Sequence, residues 1–388
     1  MQYRFLFSLT LFLFLLPFLG CGTPDNDSIA KLNVHTKDTS KIFISQYPNI
    51  SMPQGFIIND FADVPGARSM CVSPSGVVYV GTREDKVYAV KDTNYDGQAD
   101  VRYIIAKGLK SPNGVAFRNG NLFIATYSTI YVIRNIEKNL ASPQKPEIIY
   151  DKYPTDRHHG WKYIAFGPDG KLYVPVGAPC NICKKENPIY ASLTRINEDG
   201  TGMEIIAKGI RNTVGFTWHP VSNILYFTDN GRDLLGDNVP ADELNMITEK
   251  NQHFGYPYCH QGDLPDPEFG NEKSCNEFTP PIQKLGPHVA ALGPVFYTGN
   301  MFPEKYKNHL FIAEHGSWNR TTPLGYHITE VSLNETGKSI GYKVFAEGWL
   351  QKNGKVTGRP VDLKLLQDGS MLVSDDYAGK IYRITYHE

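Results

Sequence analysis

The sequence lacks an excess of charge of either sign. Its 39 Lys and Arg stand against 40 Asp and Glu, for a net charge of −1, and the two signs are interspersed. There is therefore no basic stripe to recommend nucleic acid as a partner. Long amphipathic helical patterns are almost absent, which disfavours a parallel α/β architecture. Beyond the N-terminal segment no apolar run is long enough to span a bilayer.

What is present begins with "MQYRFLFSLTLFLFLLPFLGCG". One basic residue, Arg4, precedes an apolar run of the length of a secretory h-region. Residues 1–20 are expected to be an export signal. Phe18-Leu19-Gly20-Cys21 resembles a bacterial lipobox, in which the cysteine is lipidated; ordinary signal cleavage is the alternative. The expectation is an exported protein, periplasmic or in the cell envelope, touching membrane only through a lipid on Cys21. Residues 21–50 are polar and aperiodic and read as a tether. Residues 51–388 carry enough apolar and aromatic content for a substantial core.

Export governs how the six cysteines are read. In an oxidising compartment Cys180, Cys183, Cys259 and Cys275 suit disulfides better than zinc. Four cysteines allow three pairings, of which Cys180–Cys183 and Cys259–Cys275 are favoured. Cys71, inside the strand-like "MCVSPSGVVYV", reads as a buried free thiol.

Six segments share one grammar of apolar strand, turn built on Gly, Asp or Asn, alternating strand and second alternating strand. They are "MCVSPSGVVYVGTREDKVYAVKD", "GVAFRNGNLFIATYSTIYVIRN", "IAFGPDGKLYVPVGAP…SLTRINEDG", "GFTWHPVSNILYFTDN…ADELNMI", "VFYTGNMFPEKYKNHLFIAEHG…YHITEVSLNE" and "VDLKLLQDGSMLVSDDYAGKIYRITY". A lone four-stranded sheet cannot bury both faces, whereas radial stacking can. The pattern predicts an all-β, six-bladed β-propeller over residues 51–388, with a β-sandwich as the alternative. Long insertions at 180–191, 230–243, 258–286 and 316–325 follow comparable strands and are expected to gather on one face.

Three clusters carry candidate chemistry. His158 and His159, with Trp161 and Lys162, precede the third repeat. An imidazole at the bottom of a funnel can accept a proton at neutral pH. Arg211, Arg232, Arg320 and Arg359 suit a polyanionic ligand, since guanidinium pairs with carboxylates in bidentate fashion; pairing with nearby acids is the plain reading. The loop Asp229-Asn230-Gly231-Arg232-Asp233, followed by Asp237, Asp242 and Glu243, offers the oxygens Ca²⁺ prefers. Separately, "DTNYDGQAD" has the start of a calcium loop at Asp92, Asn94 and Asp96. The twelfth position is Tyr103 rather than Glu, so the stretch reads first as a turn between blades and second as a structural Ca²⁺ site.

"HHGWKYIAFGPDGKLYVPVGAPCNIC", "GIRNTVGFTWHP", "TDNGRDLLGDNVPADELN", "AEHGSWNR" and "GRPVDLKLLQDGSMLVSDDYAGKIYRI" together resemble the quinoprotein glucose/sorbosone dehydrogenases, in particular their sorbosone-dehydrogenase-like branch. Those are six-bladed propellers that use pyrroloquinoline quinone (PQQ) with calcium. The resemblance implies oxidation of an aldose or sugar-derived aldehyde, with electrons passed to an external acceptor. It implies His159 as the base, Arg211 and Asn212 as the pair contacting cofactor and substrate, and Arg359 as a cofactor-binding arginine. It places the calcium on the backbone carbonyls of Gly231 and Arg232. The chain departs from the family pattern at His158, where better-studied members have an acid or similar polar group, at Arg232 in place of proline, and at Val361 in place of a second arginine. "LKSPNGVAF" supplies no match to a polar active-site residue near the second blade. It looks instead like a segment of the calcium-dependent gluconolactonase-type propellers, which sets a lactonase, or a propeller binding sugar or a partner without chemistry, beside the dehydrogenase.

Overall fold

Each of the six segments forms a sheet of its own, antiparallel except for a short parallel fifth strand, Gln252–His253, in blade 3, in a computed structural model, which describes residues 44–388. The export signal, the lipobox cysteine Cys21 and most of the tether, through residue 43, lie outside the described residues. Blade 1 is typical, with strands Met70–Val72, Val78–Val80, Val87–Lys91 and Val101–Ala106. The inner and middle strands are buried on both faces, as in Leu172–Val176, Leu310–Glu314 and Met371–Asp375. A neighbouring blade covers each side, which is why these strands read as continuous apolar runs. The outermost strand of blade 1 alternates exposed and covered residues until it turns inward at Ile105. Gly170, at φ 76°, closes the Pro168-Asp169-Gly170 turn, a backbone region where L side chains are strained.

The ring closes through the chain's first strand. Phe56–Asp63 pairs with Lys380–Tyr386, from Phe56 opposite Tyr386 to Asp63 opposite Lys380, and becomes the outer strand of blade 6. Packing begins slightly before it, where Tyr47 and Ile50 lie against the seam between blades 5 and 6. Every seam between adjacent blades holds an apolar cluster, and the seam of blades 5 and 6 is the most aromatic, with Tyr297, Phe302, Tyr306, Phe311 and Phe345. The expected six-bladed propeller is the observed fold.

The long insertions meet on one face. Lys184 pairs with Glu272 at 2.5 Å and Arg232 with Asp266 at 2.5 Å, while the Thr321 hydroxyl bonds Asp237. Both favoured disulfides, Cys180–Cys183 and Cys259–Cys275, are present, and Cys71 is a half-buried free thiol. In the Asp92–Asp100 loop the carboxylate of Asp92 accepts the N–H groups of Tyr95 and Gly97 at 2.6 and 2.8 Å, and Asp96 accepts that of Gln98 at 2.9 Å. These are the bonds of a self-braced turn.

Candidate active site

A cavity of about 330 Å³ opens on the axis at the face where the insertions gather. Its wall is built by chain segments at the ends of the inner strands of blades 3 to 6, with Arg83 contributed from blade 1. Trp161, Val214 and Leu292 give it an apolar base, and Val361 packs against them. The position where the resemblance expected a second arginine is therefore part of an apolar floor.

His159 is held from two directions. Its Nδ1 lies 2.8 Å from the carbonyl oxygen of Ala178. A carbonyl can only accept, so Nδ1 carries the proton and Nε2 keeps its lone pair. Nε2 makes no hydrogen bond among the described residues and is not sealed off from the cavity. The backbone of His159 sits at φ 50°, and His288 and Ala290 on the same cavity wall sit at φ 59° and 55°. Left-handed backbone in non-glycine residues costs energy and tends to collect at functional sites. Gly177 makes the fit possible, since a Cβ there would lie 2.6 Å from the Cβ of His159 and 2.8 Å from its carbonyl oxygen.

Desolvation, then the positive charge of Arg211 and the neighbouring His158, holds the His159 imidazole well below its ordinary pKa. It is a neutral acceptor at pH 7. A depressed value means that the unfolded chain takes up this proton first, so the associated stability is lost as pH falls from about 6.5 toward the folded value. Nitrogen-15 shifts of His159 should keep the neutral Nδ1–H pattern as pH is lowered through 6.5. Titration at or above that value would contradict the buried, cation-flanked environment. Lys162, the other cation of this segment, turns into the core, donates to the Gly160 carbonyl at 2.8 Å, and is pushed down to about 7 by burial.

Arg211 is gripped on every side. Its Nε and Nη2 donate to the carbonyl and side-chain oxygens of Asn181 at 2.9 and 2.8 Å, Nη1 to the Asn230 carbonyl at 3.1 Å, and Nη2 also to Asp233 at 2.9 Å. Below it, the Asp229 carboxylate accepts the backbone N–H groups of Arg211 and Asn212 at 2.8 and 2.6 Å. Burial raises the pKa of Asp229 and of its cross-strand partner Glu243. Arg359 donates to the carbonyls of His315 and Gly316 at 3.0 and 2.6 Å, tying blade 6 to blade 5. Arg83 makes no ion pair or hydrogen bond among the described residues and stacks over Trp161 at 3.9 Å. Its surface is largely accessible through the cavity, yet the recess around it and the nearby Arg68 lower its pKa to about 9, so it stays charged at neutral pH.

Residues 192–387 match the model of the TrAA12-like family. The chain belongs to that family. An uncharacterized protein of Borreliella burgdorferi is 37% identical over 356 residues, covering 87% of this chain and 91% of that one. The holo PQQ domain of pyranose dehydrogenase from Coprinopsis cinerea aligns with a TM-score of 0.75 at 17% identity, over 87% of this chain and 97% of that domain. The calcium structure of a family AA12 carbohydrate-active enzyme from Trichoderma reesei aligns with a TM-score of 0.74 at 17% identity, over 90% of this chain and all 100% of that one. At such identities the structural likeness shows the fold. The kinship is to TrAA12 and not to the sorbosone branch in particular.

Within this TrAA12-like chain, His159, Arg211, Asn212, Gly231 and Arg359 converge on the cavity as the sequence led one to expect. Arg232, Arg320 and Asp229 do not. The Arg232 side chain turns away to Asp266 and Glu268, at 2.5 and 2.6 Å, because those carboxylates on the neighbouring insertion outcompete an open cavity. Arg320 folds back to donate to the Thr322 carbonyl at 3.0 Å and does not line the cavity. Asp229 lies behind the wall, its oxygens taken by backbone N–H groups. Sequence reasoning assigned no role to Arg83, His288, His315 or Asn319, all of which line the cavity, as does Asp233 of the acidic loop. For Asn319 the signal was available in "AEHGSWNR"; for Arg83, in a short turn, there was none.

Proposed function

We propose that this protein is a PQQ- and calcium-dependent dehydrogenase that oxidises the C1 hydroxyl of an aldose or the hydrate of a sugar-derived aldehyde. The observation that carries the reading is a neutral imidazole with a free Nε2 on the wall of an axial cavity that also presents three arginines, Arg83, Arg211 and Arg359. The family and the PQQ domain of the Coprinopsis enzyme support it.

The residues fit the implied groups. A planar polyanion suits a cavity with an apolar indole base and guanidinium groups on its walls, two of them, Arg83 and Arg359, without a carboxylate partner among the described residues. The carbonyl oxygens of Gly231 and Arg232 accept no hydrogen bond among the described residues, and Gly231 lines the cavity, so both remain available to a hard cation. Arg83, Arg211, Asn212 and Arg359 would hold the quinone, and the two carbonyls the calcium. When bound, PQQ supplies the hydride acceptor and Ca²⁺ the Lewis acid that favours it.

The chain's own residues then have separable tasks. His159 Nε2 takes the substrate hydroxyl proton, and the Ala178 carbonyl holds the tautomer that allows it. Arg211, fixed by Asn181 and Asp233, presents a preorganised positive charge to whatever negative charge develops nearby. Trp161, Val214 and Leu292 keep the base of the cavity apolar. A lactonase of the gluconolactonase type would need Asn113 at a metal on the axis. Its amide is saturated instead, accepting from Arg68 at 2.8 Å and donating to Ser69 and the Lys162 carbonyl at 3.0 and 2.8 Å.

Export, with a lipid on Cys21 and an external electron acceptor, belongs to the same proposal; two disulfides suit an oxidising compartment. The decisive experiment is an absorbance titration of the purified chain with PQQ and Ca²⁺, followed by dye reduction with aldoses and aldehydes. Calcium-dependent binding and sugar-dependent reduction are expected. No binding would sink the dehydrogenase, and lactone hydrolysis without quinone would replace it with the hydrolase.

A further inference from the structure

A residue that does not line the cavity grips two that do. Asn181 lies inside the short ring closed by the Cys180–Cys183 disulfide. From there its carbonyl accepts Nε of Arg211 at 2.9 Å, and its side-chain oxygen accepts both Nη2 of Arg211 at 2.8 Å and the backbone N–H of Asp233 at 2.9 Å. Its Nδ2 donates to the Asp233 carbonyl at 3.1 Å. Asp233 in turn accepts from Arg211 at 2.9 Å and from Asn319 at 3.0 Å. On its other side the ring is anchored by the Tyr256 hydroxyl, which accepts the Cys183 N–H at 2.9 Å and lies 3.4 Å from Cys180 Sγ. Tyr256 is itself buried. The ring is thus wedged between a buried tyrosine and the guanidinium of Arg211.

We infer that Asn181 is the positioning residue for Arg211 and for the Asn230–Asp233 loop, and that the Cys180–Cys183 bond holds Asn181 in that place. A guanidinium on a long side chain has many rotamers, and binding a polyanion with it is efficient only if the orientation is set beforehand. Arg211 receives that orientation from a carbonyl and an amide oxygen whose spacing matches its fork. The disulfide fixes the backbone between the two cysteines, so the carbonyl and the side chain of Asn181 cannot move independently. Reducing the bond by a dithiol, which is oxidised to its own disulfide as two thiols form here, would free the ring from this constraint. The segment that grips the site is then the one whose covalent state depends on the redox compartment.

This inference rests on the quinone reading only for its binding readout, so the test has two arms. In the ligand-free chain, Asn181→Ala and the Cys180→Ser/Cys183→Ser pair should each speed hydrogen exchange in residues 229–234 while leaving blades 1 and 2 at the wild-type rate. In the PQQ titration, Asn181→Ala should weaken binding by about tenfold or more, the scale of lost hydrogen bonds to a charged group. In an Arg211→Ala background the same change should do nothing further. A merely structural role would instead give additive losses and exchange rising across the whole propeller. Unchanged exchange in residues 229–234 in both variants would overturn the inference. If wild type takes up no PQQ, the quinone reading fails while the exchange arm still decides the role of Asn181.

Discussion

Substituting His159 with alanine should lower dye-linked turnover by about 10²–10⁴-fold while leaving quinone affinity within a few fold of wild type. The size of the loss follows from what the imidazole does. It is a neutral acceptor whose Nδ1–H is spent on the Ala178 carbonyl, so Nε2 offers a preorganised lone pair on that wall. Its removal leaves water to take the hydroxyl proton. His158 sets the lower end of the range, since its ring centroid is 4.1 Å away and it also faces the cavity. The His158→Ala/His159→Ala pair should therefore fall further than either single change. Turnover within threefold of wild type for His159→Ala, with saturating quinone, would remove His159 from the chemistry.

The second large effect concerns the ring. Phe311→Ala should cost about 3–5 kcal/mol, measured as a shift in denaturant midpoint at unchanged slope. Phe311 is fully buried at the seam of blades 5 and 6 and meets Phe345 edge to face with centroids 4.8 Å apart. Cutting it back leaves a cavity that the surrounding rings, Tyr297, Phe302 and Tyr306, are too well packed to fill. The same seam carries the tie from Arg359 to the His315 and Gly316 carbonyls, so a looser seam should also weaken quinone binding. Ile148→Ala, on an exposed outer strand, is the control and should stay within about 0.5 kcal/mol. Equal losses for the two variants would mean that the seams do not hold the ring.

The blades were legible because strand alternation and turn chemistry are local signals. "FGPDGKLYV" specifies its hairpin wherever it is placed, and Leu172–Val176 reads as an apolar run because two neighbours will cover it. The disulfides were legible because the loops that they close are short. Ring closure was less so, since nothing within "FIINDFAD" announces that it pairs with the last strand of the chain. That pairing is decided by the number of blades and by the exposed edge of the last one.

The same division runs through the site. The sequence alone determined the repeat, the histidine at the third blade and the Arg211-Asn212 pair, because each is carried by local motifs, and it favoured the disulfide pairs without excluding the other two pairings. Only the tertiary structure decided which side chains face the cavity. Arg211 does so because Asn181 and Asp233 reach it from two other loops, while Arg232, in the same acidic loop as Asp233, is drawn off by Asp266 and Glu268. Arg83 arrives at the site from blade 1 and leans on Trp161. A long side chain in a loop takes the direction of its strongest partner, and such partners lie tens of residues away, where only the closed ring brings them together.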